Sequence, residues 1–212
     1  LMSYDILDLP QSEIQERMKY DSEKMKEGIN RIANIVESMR EMSQSSKEIK
    51  EETNIYATLI TSLTMAYNRS RQVSKIYLNG KLFDMDSINK NEYIYLCKVQ
   101  KQRMEQVWII VINNALDELI KIDNYEDRIL NINIFEDNNE IIIKFKDTAG
   151  GINKEIISDI FEPFISSKLH SGMGVGLNIA KKIVDEQDGK IRAYNEDSGA
   201  VFEIRLQKCE EE

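Results

Sequence analysis

Apolar positions set the first element. Met25, Ile29, Ile32, Val36 and Met39 are spaced four, three, four and three, and Ile14 and Met18 extend the series backwards. That is the heptad seam of a helix packed along another helix. Leu9-Pro10-Gln11 breaks the chain ahead of it. Ser12 with Gln15 three residues on forms a capping box, so one long helix is predicted from about residue 12 to 43. The apolar-acidic stretch Leu1 to Asp8 reads as the last turns of an earlier helix. A stripe this narrow suits a helical hairpin or a dimeric bundle; a single amphipathic helix lying on its own domain is the alternative.

Beyond the seam the pattern changes. Gln44 to Glu52 is polar and charged, as a junction would be. Asn54 to about Gln72 predicts a helix. Lys75 to Asn79 and Leu82 to Met85 predict a strand pair about Asn79-Gly80. Val99 to Ile122 predicts a strong helix, carrying Trp108, Ile109, Ile110, Val111 and Ile112. Ile129 to Phe135 alternates as a half-buried strand does, and Glu140 to Lys146 follows the turn Asp137-Asn138-Asn139. After Gly176 a helix runs to about Asp188. Strands at Lys190 to Asn195 and Ala200 to Gln207 close the chain through Asp197-Ser198-Gly199. From about residue 53 this mixture predicts an α+β class, helices layered on a largely antiparallel sheet.

Composition narrows the function. The 212 residues are 42% apolar and 31% charged, a globular balance. No apolar run approaches the ~18 residues of a membrane span, and the N-terminus lacks the pattern of a signal peptide. Leu1 is an unusual natural start, so the chain is expected to be cut from something longer. A net charge of −9 argues against nucleic acid as a partner. Cys97 and Cys209 lack metal-ligand spacing and read as free thiols. His170 is the one histidine, which excludes a His-rich metal site.

Three stretches carry chemistry. Asn113-Asn114-Ala115 lies in the apolar helix, where an amide costs desolvation unless it is used; a polar stripe at the helix surface is the alternative, and the favoured one for Asn113. The amide oxygen of Asn114 is a hard, neutral ligand that can hold Mg²⁺ without adding negative charge beside phosphates. Glu118, four residues on, shares its helix face, and Asp117 is near. Asp147-Thr148-Ala149-Gly150-Gly151-Ile152 ends a strand in a glycine turn. A carboxylate there can accept from the exocyclic amine of adenine and would repel the carbonyl that guanine shows at that place. An ordinary Asp-Gly turn is the alternative. Gly172-Met173-Gly174-Val175-Gly176-Leu177 opens a helix, and glycine-loop amides at a helix N-terminus bind anions. The spacing is neither that of a dinucleotide fingerprint nor that of a P-loop. Between the glycine motifs, Phe161 and Phe164 are expected to anchor a loop to the core, with Ser166, Ser167, Lys168 and His170 toward phosphates; a solvated loop side chain is the alternative for Lys168 and, more so, for His170.

Taken together, these stretches resemble the catalytic core of a sensor histidine kinase of two-component systems. Residues 106–117 with Asn114-Ala115 look like the family's N box, and Asp147 to Ile152 like the G1 box. Phe161-Glu162-Pro163-Phe164 looks like the F box, and Gly172 to Leu177 like the G2 box. The resemblance implies a two-layer α/β sandwich, the Bergerat ATP-binding fold shared with gyrase, Hsp90 and MutL, with a lid between the last two boxes. It implies two domains: 1–48, part of a dimerisation and phosphoacceptor helical hairpin without its acceptor histidine, and 49–212, the ATP-binding catalytic domain.

The implied ligand is ATP with Mg²⁺. The implied metal ligand is Asn114. The implied nucleotide contacts are Asn114, Asp147, Gly151, Ile152, Ser167, Gly172, Met173, Gly174, Val175, Gly176 and Leu177. Glu118, Asp117 and Lys168 are the implied catalytic groups. The implied partners are a response-regulator receiver domain and, in a longer protein, a second copy through the hairpin. The implied place is the cytoplasm, with membrane attachment only through segments outside this chain.

Three departures stand out. Ala149 replaces the first glycine of the G1 box and narrows the turn. Ile110 stands four residues before Asn114, where ATPases of the superfamily carry a glutamate that activates water, so phosphotransfer is favoured over hydrolysis. No histidine precedes His170. The expected function is therefore donation of the ATP γ-phosphoryl to a histidine outside this chain and thence to a regulator aspartate. A nucleotide-binding docking module and an ATP hydrolase are the alternatives.

Overall fold

The computed structural model describes residues 11–43, 49–165 and 174–209. The chain divides into two compact units, Leu1–Gln44 and Ser45–Glu212. The first is helix α1 (Gln11–Ser43), as the seam predicts. Its seam residues Met18, Met25 and Ile29 are 63 to 68% exposed. The stretch Leu1 to Asp8, expected to end an earlier helix, lies outside the described residues. Among the described residues no helix is long and apolar enough to cross a membrane.

The second unit begins with β1 (Glu51–Asn54) and α2 (Ile55–Val73), followed by β2 (Lys75–Leu78), β3 (Lys81–Leu82) and β4 (Leu96–Val99). Then come α3 (Lys101–Leu119), β5 (Ile129–Asp137), β6 (Glu140–Asp147), α4 (Gly176–Glu186), β7 (Lys190–Glu196) and β8 (Gly199–Gln207). Six strands form one sheet in the order β3-β2-β5-β6-β8-β7. Only β2 and β5 run parallel in it, so the largely antiparallel α+β expectation holds.

Several boundaries move. Glu51 and Glu52 are not junction but strand, paired with Val99 and Lys98 of β4. Val99 accordingly leaves the predicted helix, which starts at Lys101 and stops at Leu119. The partner strands lie more than forty residues apart, so no local pattern announces either. Asn54 locks this corner: its Oδ1 accepts from the Tyr56 and Tyr95 amides at 3.2 and 3.1 Å, and its Nδ2 donates to the Tyr93 carbonyl at 3.0 Å. The predicted strand from Leu82 to Met85 shrinks to Lys81–Leu82, because Met85–Ser87 forms a short 3-10 turn capped by Asp84.

Alternation along the sheet makes two faces. Leu130, Ile132, Ile134, Ile141, Ile143, Phe145, Phe202, Ile204 and Leu206 are all buried, and the register puts them on one face. The helices cover that face. On α3, Met104, Val107, Trp108, Val111, Ile112, Ala115, Leu116 and Leu119 are buried at helical spacing. Trp108 stacks on Phe145 with ring centres 5.9 Å apart and donates its indole N–H to Thr58 Oγ1 of α2 at 2.9 Å. One side chain thus joins both helices to the sheet. On the opposite face sits Glu203, fully buried. Arg192, Arg205 and Lys144 approach it at 2.8, 2.7 and 3.5 Å. Burial pushes its carboxyl up, but the two guanidiniums outweigh that and hold it at about 2.

Candidate functional site

Helix α3 stands between α2 and α4, and its polar residues divide accordingly. Ile110, Asn114 and Glu118 fall at four-residue steps on one line of the helix. That line faces α4, because a Cβ added at Gly176 would lie 3.4 Å from Ile110 Cγ2. Asn113 and Asp117 lie a step round the helix, toward α2. Arg69 of α2 donates to Asn113 Oδ1 at 2.5 Å and ion-pairs with Asp117. Asn114 is half-buried, and its amide has no hydrogen bond to another described residue.

Asp147 is the last residue of β6. It sits opposite Leu130 and two residues past Phe145, so alternation turns its carboxylate to the helix-covered face. It is 4% exposed. Oδ1 accepts from the Ala149 amide at 2.9 Å and the Ala200 amide at 3.2 Å. Oδ2 makes no hydrogen bond among the described residues and is open to a donor. Burial raises the carboxyl above the usual aspartate range, the two amides pull it back, and the Glu118 charge pushes it up again. The Glu118 charge on α3 therefore reaches the Asp147 carboxyl.

The turn after Asp147 is held from outside. Thr148 Oγ1 accepts from the Ile129 amide at 3.0 Å and donates to the Asp127 carbonyl at 2.6 Å. Gly150 and Gly151 have φ of +84° and +83°, a region that side chains rarely enter. Ala149 is not among the positive-φ residues, so its methyl group is accommodated without backbone strain. The strand turn opposite presses close: a Cβ at Gly199 would lie 1.7 Å from the Asp147 carbonyl oxygen. Only glycine permits that approach.

Helix α4 begins at Gly176 with no side-chain cap and no acidic residue in its first turn. Among the described residues no side chain caps its leading amides, and an anion would satisfy them well. Ahead of it, the Phe164 amide donates to the Gly174 carbonyl at 2.9 Å. Gly174 has φ +64°, and a Cβ there would meet the Ile165 backbone at 2.3 Å. The two ends of the segment carrying residues 166–173 are thus tied together. Asn178 of α4 donates to the Phe161 carbonyl at 2.9 Å, and the Phe161 ring meets Phe202 edge-on, centres 6.4 Å apart. Phe161 anchors the loop as expected. Phe164 does not: it is 62% exposed, because its positive φ of 69° directs the chain back toward Gly174.

Among the described residues, Asp147 thus leaves one carboxylate oxygen open, the Asn114 side-chain amide is unpaired and the start of α4 has no side-chain cap. The family model of histidine kinase-, DNA gyrase B- and HSP90-like ATPases matches residues 100–210. The chain belongs to this family. It is 27% identical over 186 residues to the sensor protein KdpD of Clostridium acetobutylicum, covering 85% of this chain and 19% of that protein. It is 34% identical over 107 residues to the C4-dicarboxylate transport sensor protein DctB of Rhizobium meliloti, covering 50% and 17%. The chain thus spans about a fifth of the length of these curated relatives. Among solved structures, histidine kinase ThkA in complex with response regulator protein TrrA aligns with TM-score 0.68 at 21% identity, covering 97% of this chain and 54% of that one. This likeness shows a shared fold.

Within the family's fold, the candidate residues sort by place. Asn114 and Glu118 share one line of α3, Gly176 abuts that line at Ile110, and the Glu118 charge reaches Asp147; Gly151 and Ile152 follow Asp147 in the turn, and Gly174, Val175 and Leu177 flank Gly176. Asp117 does not join them, because Arg69 draws it to α2. Ser167, Lys168, Gly172 and Met173 lie outside the described residues, as do Ser166 and His170. Sequence reasoning missed Asn195 of β7. Its Oδ1 accepts from the Ile152 amide at 2.7 Å and its Nδ2 donates to the Ile152 carbonyl at 2.8 Å. An asparagine inside an alternating strand, where its type is disfavoured, was the available signal.

Proposed function

We propose that this chain is the ATP-binding kinase core of a sensor histidine kinase. The carrying observation is Asp147. A buried carboxylate with Oδ1 already capped by two amides leaves Oδ2 to accept from one donor, and the amine of adenine is such a donor. Guanine would set a carbonyl against it, leaving both acceptors unpaired. The start of α4 then takes phosphate oxygens; Ser167, Lys168, Gly172 and Met173, which lie outside the described residues, are assigned to the same phosphates by the family resemblance.

The donor set fits Mg²⁺ carried by a nucleotide. Among the described residues no group of three or more His, Cys, Asp or Glu side chains gathers, so the protein would contribute Asn114 while phosphates and water complete the shell. The ion would neutralise charge on the phosphates. Glu118 stands on the same line of α3 as Asn114 and is the group placed to polarise the acceptor. Ile110 cannot take a proton from water, which favours transfer over hydrolysis.

In the transfer, the bond from the γ-phosphorus to the β–γ bridging oxygen breaks and a bond to an imidazole nitrogen forms. ADP departs and the imidazole sheds a proton. Catalysis is mostly positioning. The acceptor is a histidine outside this sequence, and the phosphoryl then passes to an aspartate on a response regulator. We assign residues 1–48 to a dimerisation and phosphoacceptor hairpin and 49–212 to the catalytic domain. The exposed seam of α1 at Met18, Met25 and Ile29 supports a partner helix, and the cytoplasm is the place that supplies ATP and regulator.

The test mixes this chain and γ-labelled ATP with a separately made histidine-bearing helix from the longer protein. Label on that histidine is expected. Demonstrated binding of both partners without label would replace this reading with a docking module. Steady release of free phosphate well above background would replace it with a hydrolase.

A further inference from the structure

We propose that Asn195 is the positioning residue that sets the adenine side of the pocket, by gripping both backbone polar groups of Ile152. The proposal rests on the ATP-binding reading of this site. The turn from Asp147 to Ile152 is braced by the β7–β8 hairpin at four points. The Ala200 amide reaches Asp147 Oδ1 at 3.2 Å. The Gly150 amide donates to the Ser198 carbonyl at 2.9 Å. Gly199 passes so close to the Asp147 carbonyl that a Cβ there would lie 1.7 Å from its oxygen. Asn195 closes a two-bond ring with Ile152 at 2.7 and 2.8 Å.

Three of those four braces are made by hairpin backbone. Asn195 makes its brace with a side chain, so it is the one that a substitution can remove without reshaping the hairpin. Its geometry also explains Gly151. A Cβ there would lie 2.8 Å from Asn195 Oδ1, so the glycine makes room for the amide as well as for its own positive φ. An amide is the side chain suited to the task, since it offers a donor and an acceptor side by side. Matched to the N–H and C=O of one residue, it fixes the orientation of that residue's backbone. Ile152 is forty-three residues away in sequence, so the clamp couples the hairpin to the turn and holds the Gly150-Gly151 bend clear of the Asp147 carboxylate.

Asn195 is exposed, so Asn195→Ala is expected to melt close to wild type. Two readouts then decide. Hydrogen exchange of the nucleotide-free protein reports the clamp directly: the Ile152 amide should exchange faster by about tenfold or more in the variant, the loss of one to two hydrogen bonds. Calorimetric titration separates the ends of the ligand. Adenosine and ATP should bind roughly tenfold more weakly, while inorganic triphosphate, which needs only the α4 end, should bind as before. A variant that binds adenosine and ATP like wild type, or weakens triphosphate equally, overturns the proposal. Wild-type protein that binds no ATP overturns the underlying reading instead, and would be recognised by failure before any variant is compared.

Discussion

Replacing Asp147 with asparagine tests the heart of the site with almost no change of shape. In the native turn Oδ1 accepts from Ala149 and Ala200, and the amide oxygen of the substituted side chain can keep both bonds. Its NH₂ then points where Oδ2 stood, donor against the donor of adenine. The hydrogen bond lost involves a charged acceptor, worth about 1.5–3 kcal/mol, which is roughly a 10- to 150-fold rise in the Kd for ATP. Stability should move the other way or scarcely at all. Burial already disfavours the charged form of Asp147, so a neutral group relieves that cost, and a change within about 1 kcal/mol is expected. The new NH₂ also suits the guanine carbonyl, so the preference for ATP over GTP should narrow. Titration calorimetry with both nucleotides, run beside thermal melts, measures all three quantities. An unchanged Kd for ATP with GTP still excluded would refute the reasoning, and so would an affinity loss that merely follows a lost fold.

Three further outcomes follow from the same structure. Because burial raises the Asp147 carboxyl and adenine needs it ionised, ATP affinity should fall as pH drops through that raised value, higher than for a solvated aspartate; Asp147→Asn should lack this acid limb in a pH series of titrations. Glu203 is held at about 2, below the usual 4.5, so its stabilisation is complete above about 4.5 and disappears as pH falls toward 2. Glu203→Gln should therefore cost about 1–3 kcal/mol in urea unfolding at neutral pH, a figure reduced because the Arg192 side chain is 61% exposed, with the gap to wild type closing in acid. Thr58→Val keeps shape but leaves the buried Trp108 indole N–H without its 2.9 Å partner, and should cost about 1–3 kcal/mol by the same measurement.

Period and punctuation carried much of this protein in plain view. The heptad spacing of α1 and the 3.6-residue burial of α3 are local facts. So are the alternation of β5 and β6 and the glycines at the turns, and a local fact is legible in one stretch of chain. Even the direction of the Asp147 carboxylate follows from alternation once Phe145 is known to face the helices. What only the tertiary structure decided are the pairings between distant segments. Strands β1 and β4 are four residues each, and β1 has two glutamates, so neither reads as a strand until the other is beside it. Asp117 and Glu118 are adjacent and chemically alike, yet a step round the helix gives one to Arg69 and the other to Lys121, from where its charge still reaches Asp147. Asn195 has no meaning until Ile152 arrives from forty-three positions earlier. Hydrophobic period is written in every turn of the chain, whereas a hydrogen bond between remote residues exists only after the backbone has brought donor and acceptor within about 3 Å.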